Sequence, residues 1–456
     1  MASPISISDN AKGRSLTLNE QQRADLDLIA SYTVKELVER DENGYSLLVF
    51  PDSLDVYGDN IENETILSLR NNTVSTGNLL GFVGCRSTRL RIHSRFDTDE
   101  NDYFMHYLLE KVFSLNLFDL KYSTEKDSVF DLILFLFPFF LNKALSQGLY
   151  KEYVTYQHND ARLKGTFDAA RHIKTNIPFL GKIAYRTREH SSDNCLTELI
   201  RHTIEYIKTK EFGPGILSRD EETRENVALI TEATPRYEKN DRQRVISRNL
   251  RSKIHPYYAE YEPLRLLCIQ ILRQEELKYG QNDDTVYGVL FDGAWLWEEY
   301  LNTLLSDLGF KHPENRKKVG AIHLFHKGKA PRYPDFYNSF TVLDAKYKRY
   351  VNNEGDSSGR ISGIAREDLA QVISYMYVLQ LSHGGFLVPG GKSIEIKEER
   401  LNGYGGIMCL INMPIPQGAT SYNDFCNIIH QSEEDFCNAV KSIYRATPDC
   451  KQLSHE

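Results

Sequence analysis

A short segment in the last third of the chain has the acidic and basic residues of a site that cuts phosphodiesters. Asp335 follows a proline, and Asp344, Lys346 and Lys348 then alternate with apolar or small residues. Side chains of an extended strand point alternately to its two faces, so the last three residues are predicted to share one face. Asp335 is predicted to lie on the neighbouring strand of a hairpin, which would bring a second carboxylate to the same place.

Two carboxylates beside a lysine suit a magnesium ion. Mg²⁺ prefers oxygen ligands, keeps several of its own waters, and lowers the pKa of a water that attacks a phosphate. Lys346 would orient that water or neutralise the charge that develops on the phosphate. The predicted metal ligands are Asp335, Asp344, Ala345 and Glu298, and the predicted catalytic set is Asp335, Asp344, Lys346, Glu298, Gln371 and Tyr375.

The elements on either side of this hairpin supply the other residues. Residues 288–301 are predicted to form a helix that carries Glu298, while the adjacent Glu299 would serve instead if the helix face were rotated by about 100°. A second helix is predicted downstream, in which Gln371 and Tyr375 are four positions apart and therefore on one face. An Asp-x-Lys segment is common on solvated hairpins, and these flanking residues favour a site over that alternative.

The charge of the chain is unevenly distributed. The net charge is -8, yet residues 311–350 hold ten Lys or Arg against three acids. A local excess of positive charge around a metal site suits contact with a DNA backbone, with a solvated basic face as the alternative. The predicted DNA-binding residues are Arg332, Lys348, Lys317 and Lys318.

Composition places the chain among ordinary globular proteins. With 456 residues, of which 41% are hydrophobic and 26% charged, it is long enough for two or more domains. Its seven cysteines form no Cys-x-x-Cys pair, which favours a reducing, cytoplasmic location. The most apolar run, residues 130–141, is too short to span a bilayer and contains Asp131 and Pro138, so a buried helix and no membrane contact are predicted.

One glycine-rich segment resembles a nucleotide-binding loop but lacks its spacing. The sequence Gly-Gly-Lys-Ser occupies residues 390–393, and the Walker A pattern requires a glycine where Phe386 stands. The chain is therefore predicted not to hydrolyse nucleoside triphosphates itself.

Apolar patterning predicts the order of the elements. A β-rich module is expected over about residues 40–98 and a helical part over about 100–230, followed by a domain at 255–456 with a mixed central sheet flanked by helices. Asp335 and Asp344 are expected on adjacent strands of that sheet. Individual predictions are helices near 20–38, 194–210 and 256–274, strands at 45–50, 77–83, 90–92, 162–167, 386–388 and 407–413, and an exposed connection at 231–254.

The motifs resemble those of a known nuclease family. The Pro-Asp and Asp-Ala-Lys segments resemble the PD-(D/E)xK motif, and Gln371 with Tyr375 resembles the helix that follows it in the RecB-like branch. At closer range the chain is similar to the McrC subunit of 5-methylcytosine-specific restriction systems over about residues 45–390, with Ser94 where proline is often found. The similar segments are 76–84, 90–96, 148–153, 162–167, 296–298, 332–336 and 343–348.

This resemblance implies a multidomain fold of α+β or α/β class, with an N-terminal β-rich and helical module before a restriction-endonuclease-like domain at residues 255–456. It implies an Mg²⁺-dependent endonuclease subunit that works with a hexameric AAA+ GTPase of the McrB type. That partner would recognise methylated double-stranded DNA, while this chain would dock through residues 1–250, stimulate GTP hydrolysis and cut the DNA. Arg86, Arg89, Arg91 and Arg95 are candidate partner contacts, or else a solvated sheet edge.

Two other functions remain open. A stand-alone RecB-like repair nuclease would cut DNA without nucleotide, whereas a catalytically inactive adaptor would only activate the GTPase. Intact Asp335, Asp344 and Lys346 argue against the adaptor.

Overall fold

The chain folds into two compact units. The computed structural model describes residues 5–40, 47–51, 63–86, 88–97, 102–113, 128–210, 213–251, 254–278, 286–313, 318–349, 364–403 and 405–445. One unit combines Met1–Lys121 with Asn282–Glu456, and the other is Tyr122–Gln281. The predicted boundary near residue 250 does not separate these units, because both ends of the chain contribute to the first one.

The elements follow one another in three stretches of chain. The first unit begins with β1 (Ile5–Ser8), β2 (Arg14–Ser15), α1 (Glu20–Ala30), α2 (Val34–Arg40), β3 (Leu47–Phe50), β4 (Leu67–Arg70), β5 (Thr73–Thr76), β6 (Leu79–Cys85), β7 (Thr88–His93) and α3 (Tyr103–Val112). The second unit contains α4 (Ser128–Leu145), β8 (Glu152–Asp160), β9 (Thr166–Phe167), α5 (Ala169–Thr175), β10 (Ile183–Ser191), α6 (Cys195–Lys208), α7 (Gly213–Leu217), α8 (Glu221–Ala233), α9 (Arg242–Asn249) and α10 (Tyr261–Lys278). The first unit continues with β11 (Val286–Asp292), α11 (Gly293–Leu305), β12 (Ile322–Phe325), β13 (Lys329–Arg332), β14 (Phe336–Tyr337), β15 (Thr341–Ala345), α12 (Arg366–Leu379), β16 (His383–Pro389), β17 (Ile396–Arg400), β18 (Ile407–Met413) and α13 (Tyr422–Arg445).

One sheet of the first unit joins distant parts of the sequence. Its strand order is β1-β7-β6-β11-β3. β11 pairs antiparallel with β6 and parallel with β3, so a strand from beyond residue 285 lies inside a sheet otherwise built before residue 94. All seven residues of β11 are buried. The predicted strands β3, β6 and β7 are confirmed where the structure describes them, but the β-rich module is completed by a strand from much later in the chain.

The prediction of a single helix over residues 288–301 is wrong at its start. Residues up to Asp292 belong to β11, and α11 begins at Gly293, where the Asp292 side chain accepts a hydrogen bond from the main-chain N–H of Ala294 at 2.9 Å. A continuous apolar run can form a strand buried on both faces, and periodicity alone does not separate such a strand from a buried helix. Glu298 still lies on a helix, as predicted.

A chain truncated after residue 250, which corresponds to the predicted docking region, is expected not to unfold cooperatively. It would lack β11, so β6 and β3 would lose the strand between them, and unsatisfied main-chain groups on buried strands are costly. Thermal unfolding followed by circular dichroism is the measurement. Residues 1–121 joined by a flexible linker to 282–456 are the control, because they keep all five strands. A sharp transition in the 1–250 fragment would contradict the structural role given to β11.

A second sheet of the first unit carries the predicted nuclease residues. Its order is β14-β15-β16-β18-β17, with β15, β16 and β18 parallel and both edge strands antiparallel. Val342 and Phe386 pack with α12 on one face, and the buried Leu343 and Leu387 alternate onto the other face. α11 contacts β15, and α13 contacts β18. The predicted mixed sheet flanked by helices is therefore present.

The second unit packs helices beside a three-stranded sheet of order β8-β10-β9. The predicted exposed connection at 231–254 is wrong, because α9 lies there, packs on α6 and buries Val245 and Ile246. These two apolar residues are surrounded by many charged ones, so the sequence showed no apolar periodicity from which the helix could be predicted. The predicted strand at 162–167 is confirmed only at Thr166–Phe167. α10 was expected in the nuclease domain but belongs to this unit, where it packs against α4 and α6.

The most apolar segment of the chain forms part of α4. Its described side chains between Ile133 and Leu145 are mostly buried, which confirms the predicted buried helix. Among the described residues, no helix is long and apolar enough to cross a membrane.

Candidate active site

The hairpin of β14 and β15 sets the two predicted carboxylates opposite each other. Phe336 pairs with Leu343 in the antiparallel register. Extending this register by one pair places Asp335 opposite Asp344, and such opposite residues point to the same face with β-carbons about 5 Å apart. The main-chain N–H of Ala345 donates to Asp335 Oδ2 at 2.7 Å, which holds that carboxylate at the end of β15.

The two carboxyls lie close together in poorly hydrated surroundings. Asp344 is only 2% exposed. Burial, and then the charges of Glu298 and Asp344, raises the pKa of Asp335 well above its ordinary value. Burial also raises the pKa of Asp344, against the opposing charge of Lys346. Carboxyls held together in this way favour a bound cation, which would offset their repulsion.

Lys346 connects the carboxylate pair to α12. Its Nζ lies 2.9 Å from Asp344 Oδ2 and 3.2 Å from Asp368 Oδ1, and Lys348 Nζ lies 3.0 Å from Asp368 Oδ2. Burial lowers the pKa of Lys346, but the charges of Asp344 and Asp368 outweigh burial and raise it, so the ammonium group stays charged. Burial likewise raises the pKa of Asp368, and the two lysines outweigh it and lower the pKa.

Asp368 was not predicted as a site residue. Its position one helical turn before Gln371 was the signal available in the sequence, because residues three apart lie on neighbouring parts of one helix face. The alternation of side chains along the strand could not by itself show that Lys346 and Lys348 both contact Asp368.

Helix α11 brings two acids to the site, and they make different interactions. The charge of Glu298 contributes to the raised pKa of Asp335. Glu299 instead accepts a hydrogen bond from Trp295 Nε1 at 3.2 Å. Of the two acids that the sequence left open, the structure therefore favours Glu298 as the one that acts on the carboxylate pair.

His312 links α11 to the hairpin and was missed as a site residue. Its Nδ1 donates to the main-chain oxygen of Asp335 at 2.7 Å, and its Nε2 is 3.8 Å from Oε1 of both Glu298 and Glu299. Burial lowers the pKa of His312, but the hydrogen bonds with Glu299 and with the Asp335 carbonyl outweigh burial and raise it. The ring also stacks on Phe336 at a centroid distance of 5.0 Å. No sequence spacing connects this histidine with the motif, so only the fold reveals it.

Gln371 and Tyr375 lie on one face of α12, as predicted. Gln371 Nε2 donates to Tyr375 Oη at 2.7 Å. The tyrosine is buried and the glutamine is exposed, so the tyrosine holds an amide group at the solvent side of the site. Burial raises the pKa of Tyr375, and the charges of Asp335 and Asp344 add to this effect.

The predicted DNA-binding residues lie on several elements. Arg332 is exposed at the end of β13, and Lys348 is exposed while contacting Asp368. Lys318 is exposed and has a left-handed backbone with φ 55°. Lys317 lies outside the described residues.

The chain that carries the predicted catalytic lysine is anchored to the N-terminal part of the same unit. Tyr347 Oη and Ser94 Oγ are 2.8 Å apart, and the Tyr347 ring packs edge-on against Phe96 with centroids 5.0 Å apart. A β-carbon at Gly293 would lie 2.7 Å from the Tyr347 ring, so α11 approaches closely only because this residue is glycine. The serine found where the family often has proline thus holds the chain beside Lys346.

The arginines suggested as partner contacts are engaged within the first unit. Arg95 is 7% exposed, so the suggestion that it contacts a partner is wrong. Ion pairs tie three of the four side chains to their own unit, which explains why a cluster of arginines near one strand need not form a docking surface. The ion pairs are Arg95–Asp9 at 2.6 Å, Arg86–Asp25 at 3.0 Å and Arg91–Asp102 at 2.8 Å.

The oxygen donors fit a magnesium ion held mainly by two carboxylates. Within the described ranges, no group of three or more His, Cys, Asp or Glu side chains is placed to hold a metal ion. Mg²⁺ is commonly bound by one or two carboxylates plus waters and needs no complete cage of side chains. Asp335 and Asp344 meet that requirement, and Ala345, also predicted as a ligand, lies beside them at the end of β15. Glu298 acts on Asp335 through its charge and does not complete a set of three side-chain ligands.

The chain is similar to known components of one restriction system. The family model of the McrBC 5-methylcytosine restriction system component matches residues 74–389. A chain in the refined half-complex from the tetradecameric assembly of Thermococcus gammatolerans McrB AAA+ hexamers with bound McrC is similar, with a TM-score of 0.50 and 15% identity, over 97% of this chain and 100% of that chain. A chain in the cryo-EM structure of the Thermococcus gammatolerans McrBC complex has a TM-score of 0.35 and 14% identity, over 68% of this chain and 90% of that chain. No curated protein matches this chain.

The fold and the family match together define a restriction-system component of mixed α and β architecture. The match covers well over half of the chain and contains every residue predicted to be catalytic, from Glu298 to Tyr375. The chain belongs to the McrBC family of 5-methylcytosine restriction system components. The family resemblance noted in the sequence is thereby confirmed.

Proposed function

We propose that this chain is the Mg²⁺-dependent DNA endonuclease subunit of an McrBC-type restriction complex, with a PD-(D/E)xK nuclease fold in the C-terminal part of the first unit. The observation that carries this proposal is the pair of Asp335 and Asp344 on one face of a hairpin, with Lys346 Nζ 2.9 Å from Asp344. The order of the sheet supports the assignment. The motif lies on β14 and β15, at one edge of a mixed, helix-covered sheet in which β15, β16 and β18 are parallel.

Each residue of the site has a distinct part in cleavage. Asp335 and Asp344 would hold the magnesium ion, which supplies a water of lowered pKa and offsets charge on the phosphate. Lys346 keeps its proton between two carboxylates and can donate to a phosphate oxygen that gains charge. Glu298 faces the pair from α11, and Gln371 offers its amide to the DNA backbone from α12.

Lys346→Ala is expected to lower cleavage of methylated plasmid DNA by about a hundredfold or more, because a charged donor at the phosphate is lost. Partner binding should be unchanged, whereas stability should fall modestly, because Asp344 and Asp368 lose a cation that lies close to both. Cleavage is measured with the cognate AAA+ GTPase, GTP and Mg²⁺, with co-purification of the partner in parallel. Lys392→Ala, at an exposed position after β16, is the matched control.

Two results would change the proposal. Cutting by Lys346→Ala at the rate of the control would remove the catalytic assignment. Cutting by the wild-type chain without GTPase or GTP would support a stand-alone nuclease instead of a restriction subunit.

We also propose that the partner is a hexameric AAA+ GTPase of the McrB type and that the second unit supplies a docking surface for it. The apolar surface of the second unit consists of exposed side chains on β9, α5 and the segment that follows α5. α5 buries none of its own residues. Exposed apolar patches of this kind mark contacts between proteins. The side chains of this apolar surface and their exposed fractions are Phe167 48%, Ile173 60%, Ile177 68%, Phe179 62% and Leu180 84%.

A further inference from the structure

A two-stranded ribbon of β12 and β13 forms a small sheet of its own beside the candidate active site. Ile322 pairs with Arg332 at its base, and Phe325 pairs with Lys329 near its tip. Ile322 is buried in the same cluster as Val342 of the catalytic strand. The base is therefore fixed to the catalytic sheet, while the tip is exposed.

The ribbon leads directly away from the carboxylate pair. The chain passes from Arg332 to Asp335 in three residues, so the base lies next to the candidate metal site. Phe325 is three residues beyond Ile322, which is about 10 Å along an antiparallel strand. About three nucleotides of one DNA strand span the same axial length. The ribbon thus has the length to follow a few phosphates away from the point of cutting.

The ribbon is strongly basic in a chain that is acidic overall. Residues 322–332 contain three Lys or Arg, two His and no acid, whereas the net charge of the chain is -8. Lys327 and Lys329 are both exposed. Lys327 has a left-handed backbone with φ 63° and ψ 31°, an uncommon conformation for lysine, and it lies in the turn at the tip. Positive charge along the ribbon, with no acid within it, complements a phosphate backbone.

An aromatic side chain accompanies the lysines at the tip. Phe325 is 66% exposed and lies opposite Lys329 on the neighbouring strand. One phenylalanine is too small to form an apolar patch for a protein partner. An apolar side chain between phosphate-binding residues is instead the arrangement by which groove-binding proteins press on a base step.

We propose that the ribbon at residues 322–332 binds duplex DNA beside the phosphate to be cut, with Lys327 and Lys329 on phosphates and Phe325 against the groove. This inference rests on the proposed nuclease function, because it describes how the same site holds its substrate. Contacts to phosphates position a duplex without reading its sequence. The ribbon therefore binds methylated and unmethylated DNA alike.

Lys327→Ala combined with Lys329→Ala is expected to weaken binding of the full-length chain to a short, mixed-sequence, unmethylated DNA duplex. Fluorescence anisotropy without Mg²⁺ measures the affinity at several salt concentrations. Each lost phosphate contact removes about 0.9 from the slope of log K against log salt, so the slope should fall by about 1.8 and the affinity at about 0.1 M salt by up to about 60-fold. Phe325→Ala should weaken binding by about fivefold with the slope unchanged, because it removes packing and no charge.

Lys392→Ala combined with Arg400→Ala is the matched control, since it removes the same charge from exposed positions of the same unit outside the ribbon. A ribbon variant with the affinity and slope of this control would overturn the proposal, as would a wild-type chain that binds no duplex at low salt. Loss of GTPase binding with DNA binding unchanged would assign the ribbon to a protein contact and would overturn it too. The metal site is intact in these variants, so a chain that binds DNA through the ribbon but never cuts would refute the nuclease function alone.

Discussion

Asp344→Asn is expected to reduce DNA cleavage by at least about a hundredfold without lowering the stability of the protein. The substitution keeps the size of the side chain and removes one of two carboxylates that face each other. Burial, and then the charges of Glu298 and Asp344, raises the pKa of Asp335, so removing the charge of residue 344 lowers the electrostatic repulsion in the folded state at neutral pH. Lys346 keeps its contact with Asp368. Cleavage with the GTPase and the free energy of unfolding without Mg²⁺ are the two measurements.

The burial of these two carboxyls and the charges around them also make the stability of the protein depend on pH. An aspartate in the unfolded chain titrates near pH ~3.9, whereas burial and neighbouring charge raise the folded pKa of Asp335 and Asp344. Between the unfolded and the folded pKa the folded state binds more protons, so stability falls as pH rises through this window and recovers as pH falls. Asp344→Asn should flatten this part of the stability curve.

Magnesium provides a readout that does not depend on activity. A ligand that binds only the folded state stabilises it by about 2.7 kcal/mol at one hundred times its Kd. Added Mg²⁺ should therefore raise the melting temperature of the wild-type protein and have little effect on Asp344→Asn. Glu398→Gln, an exposed acid on β17, is the control and should respond as the wild type does. Equal stabilisation of Asp344→Asn would place the metal elsewhere.

Ile177→Ser, Phe179→Ser and Leu180→Ser together are expected to weaken binding of the cognate AAA+ GTPase by about a hundredfold or more and to abolish GTPase stimulation. The three side chains are 62% or more exposed, so their loss should leave the free energy of unfolding nearly unchanged. Binding is measured by pull-down and by titration, and stimulation by phosphate release at saturating GTP.

The control for this variant removes apolar side chains elsewhere in the second unit. Tyr257→Ser with Leu229→Ser does so at positions that are 69% and 40% exposed. The docking proposal fails if the triple variant and this control bind the GTPase equally well. Loss of binding in both would show that overall apolar exposure, and not this surface, drives association.

The sequence by itself determined the local arrangement of the candidate site. Strand alternation predicted that Asp344 and Lys346 share a face, and helix spacing predicted that Gln371 and Tyr375 do so. These predictions hold because the covalent geometry of a strand or a helix sets which neighbours share a face. The short loop between β14 and β15 also allows only a few pairing registers of the two strands. In the register that is observed, Asp335 lies opposite Asp344.

Other parts of the site and fold depended on contacts between distant residues. β11 pairs with β6 about 200 residues earlier, and its apolar run looks the same in sequence as a buried helix. Whether Glu298 or Glu299 acts on the carboxylate pair depends on the rotation of α11, which the local sequence does not fix. At its first residue, Gly293, a β-carbon would lie 2.7 Å from the Tyr347 ring, so the fit of this helix also depends on a residue 54 positions later.

Only the tertiary structure decided which charged groups face one another. His312 and Asp368 contact residues of the candidate site, although the sequence did not predict them there. Arg95 is buried in an ion pair with Asp9, although the sequence suggested that it was available to a partner. The strength of a charge interaction depends on distance and on burial, and neither quantity is a property of the local sequence. The sequence therefore determined the chemistry available to this protein, and packing across the chain decided which of those groups meet and how strongly they interact.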